Sequence, residues 1–238
     1  MPYLGIQSVH PGKTSECVEK CFQIVYPDAH TVIDATYGKG RFWDWKHDLQ
    51  VTGIDLAPRH RNIIQADYRQ LPFTAGSCDV LCWDPMFIFT PGIRRVMGTS
   101  RLFTNNETGS SAALLDKPRN PADLLLHARR IFEQAQSLAR IGLIIKGQDL
   151  VVNQSDWWLH NLMTLGEQCE AGLPYDILIQ VSPSHRMIDR RWKHQYHFRR
   201  AHAFYVCYRW DHGKGLQQSK VAEVEVPALQ GVGPGTDG

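Results

Sequence analysis

Short apolar runs rich in β-branched residues recur along the chain and alternate with segments of helical period. Thr31–Ala35, Gln50–Ile54, Asn62–Ala66 and Asp79–Trp83 predict four strands in the first part of the chain. Ile141–Ile145, Ile177–Val181 and Ala203–Tyr208 predict three more. A helix is predicted from Thr14 or Ser15 to about Val25, with Glu16 and Glu19 near its positive end and Pro27-Asp28 as the stop. A second runs over Pro121–Ala139, with an apolar stripe through Leu124, Leu125, Ala128, Ile131, Phe132 and Ala135. A third runs from Asp156, capped by Ser155, to about Cys169, and Trp157-Trp158 read as packing for it. Strands alternating with helices predict an α/β fold: a seven-stranded, mostly parallel, Rossmann-like sheet with helices on both faces. The last two strands have no helical segment between them, so they are expected to pair as an antiparallel terminal hairpin. One domain is predicted over residues 1–210, with a flexible tail over 211–238 that ends in Gly-Val-Gly-Pro-Gly-Thr-Asp-Gly.

The acids fall where such a sheet binds ligands. The second, third and fourth predicted strands finish on Asp55, Asp67 and Asp84, and the first carries Asp34 near its end. Ligands of open α/β sheets sit outside the carboxyl ends of the strands. Asp34-Ala35-Thr36-Tyr37-Gly38-Lys39-Gly40 is a glycine-containing turn that lets backbone approach a ligand closely. Asp55 comes one strand later, the position from which a carboxylate takes both ribose hydroxyls. Asp67 can accept from an adenine amine. A full Gly-x-Gly-x-x-Gly phosphate cradle is missing, because Trp43 stands where its third glycine would be. Gly12-Lys13-Thr14 lacks the upstream glycine of a phosphate loop and is a false match.

Composition narrows the class without deciding it. The chain has 238 residues, 43% hydrophobic, with net charge +2, enough for one sizeable core and too little charge to signal nucleic acid by itself. Six cysteines in a chain of this length do not make a disulfide scaffold. We read Cys17/Cys21 as one helix face and Cys78/Cys82 as one strand face, both packing rather than binding metal. The start of the chain has no signal-peptide pattern, and no apolar stretch reaches the ~20 residues that span a bilayer. A cytoplasmic location with reduced thiols, and no membrane association, is expected.

The apolar run Val80-Leu81-Cys82-Trp83 ends in Asp84-Pro85-Met86-Phe87. A carboxylate can accept from an amine and the following aromatic can stack on the ring that bears it. With the acids and the glycine turn, this tetrapeptide makes the chain resemble class I S-adenosylmethionine-dependent methyltransferases. More narrowly it is similar to the amino-methyltransferases of adenine N6 and cytosine N4 in DNA, whose signature is Asp/Asn/Ser-Pro-Pro-Tyr/Phe/Trp. His10-Pro11-Gly12-Lys13 and Arg200-Ala201-His202-Ala203-Phe204-Tyr205-Val206 match further segments of that family loosely, so the resemblance covers roughly residues 8 to 210. Two features depart from it: Met86 replaces the second proline, and the sequence shows no obvious large target-recognition domain.

The resemblance implies S-adenosylmethionine as cofactor, held by Asp34, Thr36, Tyr37, Gly38, Gly40, Asp55 and Asp67, with Lys13 a candidate at its methionine end. It implies Asp84, Pro85 and Phe87 as the catalytic set. Methylation at cytosine C5 would need a cysteine nucleophile, usually after proline, and no Pro-Cys dipeptide occurs. Two other classes stay open: an RNA guanine-N2 or small-molecule N-methyltransferase, and a non-catalytic nucleic-acid-binding subunit of the same fold. Lys146-Gly147-Gln148-Asp149 reads as a turn at the rim of the site rather than a catalytic unit.

A duplex base must leave its stack before its amine can react, at a cost of a few kcal/mol. Positive charge is the candidate for offsetting that cost. Residues 183–200, read as a basic hairpin region, carry Arg190, Arg191 and Lys193 among interleaved aromatics. Residues 86–120 have no clear period and read as a target-side loop, adding Arg94, Arg95 and Arg101. The partner is therefore expected to be nucleic acid, DNA ahead of RNA. Replacing Arg190, Arg191 and Lys193 together with alanine should weaken nucleic-acid binding and flatten its dependence on salt. An unchanged salt slope in a binding titration would remove this stretch from the binding face.

Overall fold

Burial runs almost unbroken along the central strands, with Cys78–Trp83 buried at every position, as in a sheet covered on both sides. A computed structural model describes residues 5–58, 60–85, 118, 120–152, 154–156, 158–181 and 202–210. Among these the chain runs β1 (Val9–Pro11), α1 (Thr14–Ile24), β2 (Thr31–Asp34), a 3-10 turn (Arg41–Trp43), β3 (Gln50–Asp55), β4 (Ile64–Gln65) and β5 (Cys78–Trp83). It continues through α2 (Pro121–Leu138), β6 (Ala139–Gly147), β7 (Leu150–Val152), β8 (Gln154–Asp156), α3 (Trp158–Gln168), β9 (Asp176–Val181) and β10 (His202–Arg209).

Eight strands form one sheet in the order β1-β9-β10-β6-β5-β2-β3-β4, and β7 and β8 pair separately. Every pairing in the large sheet is parallel except those of β10, which runs against both β9 and β6. The expected antiparallel pairing of the last two strands is present. The chain moves from β2 out to β4, returns to the other side of β2 at β5, and goes on to β6. That doubly wound course leaves a reversal point between β2 and β5.

The strand count differs from the expected seven. β1 is added at the edge, where Val9, His10 and Pro11 pair with Ile179, Gln180 and Val181. Its three residues include a proline and carry no apolar run, so nothing in the local pattern marks a strand. An edge position tolerates the proline's missing N–H. The segment at 154–156 is strand rather than the predicted helix start, so α3 begins at Trp158. β6 runs on to Gly147, because β10 pairs with it through Tyr205–Lys146 and Phe204–Gly147. Lys146 is therefore a strand residue and not part of a rim turn.

Two cores flank the sheet. Leu143, Ile145, Phe204, Val206 and Tyr208 pack under α2 and α3 on one side, with Trp158 fully buried there. Their neighbours Ile144, Tyr205 and Cys207 pack under α1 on the other. The period of two assigns alternate residues of β6 and β10 to opposite faces. Cys17 and Cys21 lie together in the α1 core as predicted, but Cys78 and Cys82 fall in different cores. The β5–β6 register shifts between Cys78 and Val80, where β6 carries an additional residue.

The helix ends follow local chemistry. Lys13, extended, precedes α1, and the Glu16 carboxylate accepts from its backbone N–H at 3.1 Å. The Asn120 side chain accepts from Asp123 N–H at 2.9 Å, and Pro121 opens α2. Among the described residues no helix is long and apolar enough to cross a membrane.

At the amino edge of the sheet, Asp79 gathers three strands. Its Oδ2 accepts from His30 and Thr31 N–H at 2.8 and 2.9 Å, and its Oδ1 accepts from Arg140 Nη2 at 2.8 Å. Burial raises the carboxyl, but the His30 and Thr31 N–H groups and Arg140 outweigh it and bring its pKa down to about 2. A depressed acid contributes stability above its ordinary pKa and loses it as pH falls through the folded value. Each tenfold change in proton affinity between folded and unfolded chain is worth ~1.36 kcal/mol, so Asp79→Asn should cost about 2 kcal/mol at neutral pH. The difference between variant and wild type should vanish as pH falls from about 4 to about 2. Urea unfolding across that range checks both.

Candidate functional site at the carboxyl edge of the sheet

The other edge collects the predicted acids. Asp34 ends β2, Asp55 ends β3, Asp84 follows β5, and Asp67 lies two residues beyond β4. Since β2, β3, β4 and β5 are parallel, all four residues face the same edge. The turn after β2 ties them together. Asp34 Oδ1 accepts from Thr36 N–H at 3.0 Å, Asp55 Oδ2 accepts from Gly38 N–H at 3.0 Å, and Thr36 Oγ1 accepts from Asp84 N–H at 2.7 Å. One short turn thus contacts the ends of all three central strands.

Gly38 and Gly40 have φ of +54° and +68°, the left-handed region that L side chains rarely adopt. Tyr37 N–H donates to Ile54 O at 2.9 Å, and its ring lies against the bare Cα of Gly53. Tyr37 is therefore packing for the turn. Asp55 accepts from backbone on both sides, Gly38 N–H on Oδ2 and Ala57 N–H on Oδ1 at 2.8 Å. It is half-buried, and each oxygen keeps a lone pair for a further donor.

Asp34 is 3% exposed. Burial pushes its pKa up to about 7, against hydrogen bonds from Thr36 and Trp43, and the charges of Asp84 and Asp55 raise it further. Trp43 Nε1 donates to Asp34 Oδ2 at 2.8 Å, so the indole that replaces the third glycine supplies a donor to the first acid. Asp67 is differently occupied: Arg69 Nε lies 3.0 Å from its Oδ1 and 2.8 Å from its Oδ2. Its pKa is lowered, the hydrogen bonds from Arg69 outweighing burial.

Lys13 is exposed at the start of α1, and the preceding Gly12 O accepts from Gln180 Nε2 at 2.7 Å. β1 is parallel to β9, so Lys13 also comes out at this edge. Pro85 is buried. Phe87, Arg94, Arg95, Arg101, Arg190, Arg191 and Lys193 lie outside the described residues, as do most of the 86–120 loop and the 183–200 region. The structure adds Lys146, which its sequence context places in a rim turn. Its Nζ lies 2.8 Å from Asp84 Oδ2, and 5.6 Å from the centre of the Phe42 ring. A basic residue ending an apolar strand is the signal the sequence offers for it, and placing the strand's end at Ile145 hides that signal.

Compared with protein-family models and with curated proteins, the chain matches none.

The packing of Tyr37 on Gly53 carries a test. A Cβ at Gly53 would lie 2.5 Å from Tyr37 Cδ2 and 2.8 Å from Ile63 Cδ1. Gly53→Ala should push the ring outward, cost about 1–3 kcal/mol as overpacked sites do, and shift the amide resonance of Gly38. A urea midpoint equal to wild type would show that the ring has room to move.

Proposed function

We propose that the protein is an S-adenosylmethionine-dependent N-methyltransferase acting on an exocyclic base amine of nucleic acid. DNA adenine N6 or cytosine N4 is the favoured target. The observation that carries this reading is the linkage of Asp34, Asp55 and Asp84 by the 34–40 turn, at the reversal point between β2 and β5. Doubly wound sheets place ligands there. The tetrapeptide at Asp84 and the basic stretches support the target class from sequence.

The residues present fit the cofactor. Asp55, held by two backbone N–H groups with lone pairs to spare, suits the two hydroxyls of a ribose. Gly38 carries no side chain to keep a ligand from the backbone, whereas the Tyr37 ring covers the bare Cα of Gly40. Asp67 has Arg69 on both oxygens, so it is the weakest member of the set toward an adenine amine. When bound, S-adenosylmethionine supplies a methyl group on a sulfonium, an electrophile that needs no covalent help from the protein.

The chain's own task is to prepare the nucleophile. An aromatic amine is weak because its lone pair is delocalised into the ring. Asp84 would accept from the amine, with the Pro85 carbonyl as the second acceptor. Together they favour a pyramidal nitrogen with its lone pair free for in-line attack. Phe87 would stack on the base and fix its plane.

The experiment is transfer of a labelled methyl group from S-adenosylmethionine to DNA and to RNA, followed by nucleoside analysis by mass spectrometry. N6-methyladenine or N4-methylcytosine should appear in DNA, and Asp84→Ala should reduce the rate by ~10²-fold or more. Methylation of neither polymer would overturn the reading. Methyl groups confined to RNA guanine would move the target to the N2 amine.

A further inference from the structure

Asp84 does not stand alone at the edge of the sheet. β5 and β6 are parallel neighbours with Trp83 opposite Ile145, so Asp84 and Lys146 extend from adjacent strands at one level. Their side chains meet at 2.8 Å, Lys146 Nζ on Asp84 Oδ2. The lysine side chain is 16% exposed and the aspartate 28%. The backbone and the ammonium group of the lysine are each placed by neighbours. Its backbone is registered opposite Tyr205, the Phe42 ring lies near its ammonium group, and Phe42 in turn packs at 6.2 Å from Tyr205. Asp34 and Asp55 share the edge, yet among the described residues neither has an ion-pair partner.

We propose that Lys146 is a positioning residue for methyl transfer: it occupies Asp84 Oδ2 and leaves Oδ1 as the oxygen presented to the target amine. The inference rests on the methyltransferase reading and deepens it. A carboxylate with both oxygens free can turn about its last side-chain bond and accept an amine in several poses. Pinning one oxygen with a cation held on a neighbouring strand removes that freedom before the base arrives. The cation also offsets the charge that a buried cluster of acids would otherwise concentrate beside Asp84. In the step itself the N–CH₃ bond forms as the S–CH₃ bond breaks, and the bonding pair stays on sulfur. The amine proton leaves through Asp84 Oδ1 to water. Lys146 acts only through the position of Asp84.

The test is a double-mutant cycle on single-turnover transfer to DNA, with Asp84→Asn, Lys146→Met and the double variant, and Lys146→Arg as the conservative replacement. Methionine keeps an apolar stem near Phe42 and removes the charge. Lys146→Met should lower the rate by ~10-fold to ~10²-fold, with the S-adenosylmethionine Kd by calorimetry and the Tm both within twofold or a few degrees of wild type. Lys146→Arg should recover much of that loss. In the Asp84→Asn background the lysine substitution should have little further effect, because its route of action is already gone. An active wild type whose Lys146→Met variant keeps its rate overturns the inference and leaves the methyltransferase reading standing. Equal losses from Lys146→Met in both Asp84 backgrounds also overturn it, since the lysine would then act elsewhere. A wild type that methylates no polynucleotide overturns the reading and this inference with it.

Discussion

The pairing of β2 with β5 is the contact on which the site depends. These strands flank the reversal point, and each is fastened to the other at both ends. At the amino edge Asp79 of β5 accepts from the backbone of His30 and Thr31 at the start of β2. At the carboxyl edge Thr36, just past β2, accepts from the backbone of Asp84, just past β5. Between the two clamps Val32, Ile33 and Asp34 pair with Val80, Leu81 and Cys82. A slip of one residue would turn Val80 and Cys82 out of the α1 core and separate Asp34 from Asp84. The same register that satisfies the core therefore sets the spacing of the acids.

That spacing has an electrostatic consequence. Three carboxylates at one edge, one of them nearly sealed from water, repel each other in a medium of reduced dielectric. The protein meets this in different ways at each. Asp34 is given two N–H donors and is still pushed upward to about 7 by burial. Asp55 is given two backbone N–H groups and left half-exposed. Asp84 is given a lysine. Asp34, 3% exposed, is the acid committed to structure, whereas Asp55 and Asp84 are both partly exposed. Backbone donors are fixed by the fold, whereas Asp84 owes its partner to one side chain, so Asp84 is the acid whose position one substitution can change most.

Much of this edge was legible in the sequence because it depends on short-range rules. β-branched runs ending in aspartate read as strands with acids at their carboxyl ends, although the only helical segment between β2 and β5 among the described residues is a 3-10 turn, with no α-helix to announce their parallel pairing. Glycines at 38 and 40 marked the turn, and the left-handed φ of both explains why those residues stand there. What the pattern hid was set by partners far along the chain. β1 exists because β9 offers an edge, not because Val9-His10-Pro11 favours extension. β6 reaches Lys146 because β10 pairs that far. Cys78 and Cys82 join different cores next to an irregularity in the β5–β6 register that is invisible from the spacing of two cysteines. Arg69 as the partner of Asp67 was local, two residues away, but a strand-end acid reads equally as a ligand group and as half of an ion pair.

Trp43 links the missing glycine to the rest of the site. In a phosphate-binding turn the third glycine lets helix and strand pack closely, and the first acid is not the anchor. Here an indole occupies that place, packs 6.0 Å from the Phe22 ring and donates to Asp34. Trp43 belongs to the 3-10 turn Arg41–Trp43 and not to an α-helix, so it stands at no helix end that could cradle a phosphate. It provides instead a buried acid held from two directions, and that acid fixes the turn whose Gly38 N–H reaches Asp55. A ligand without phosphates, carrying a ribose and a cationic centre, loses nothing by this exchange. The cationic centre gains from the acids that a pyrophosphate would find repulsive. Under the function proposed above, this departure from the dinucleotide pattern suits a sulfonium nucleoside with a net positive charge and no phosphate.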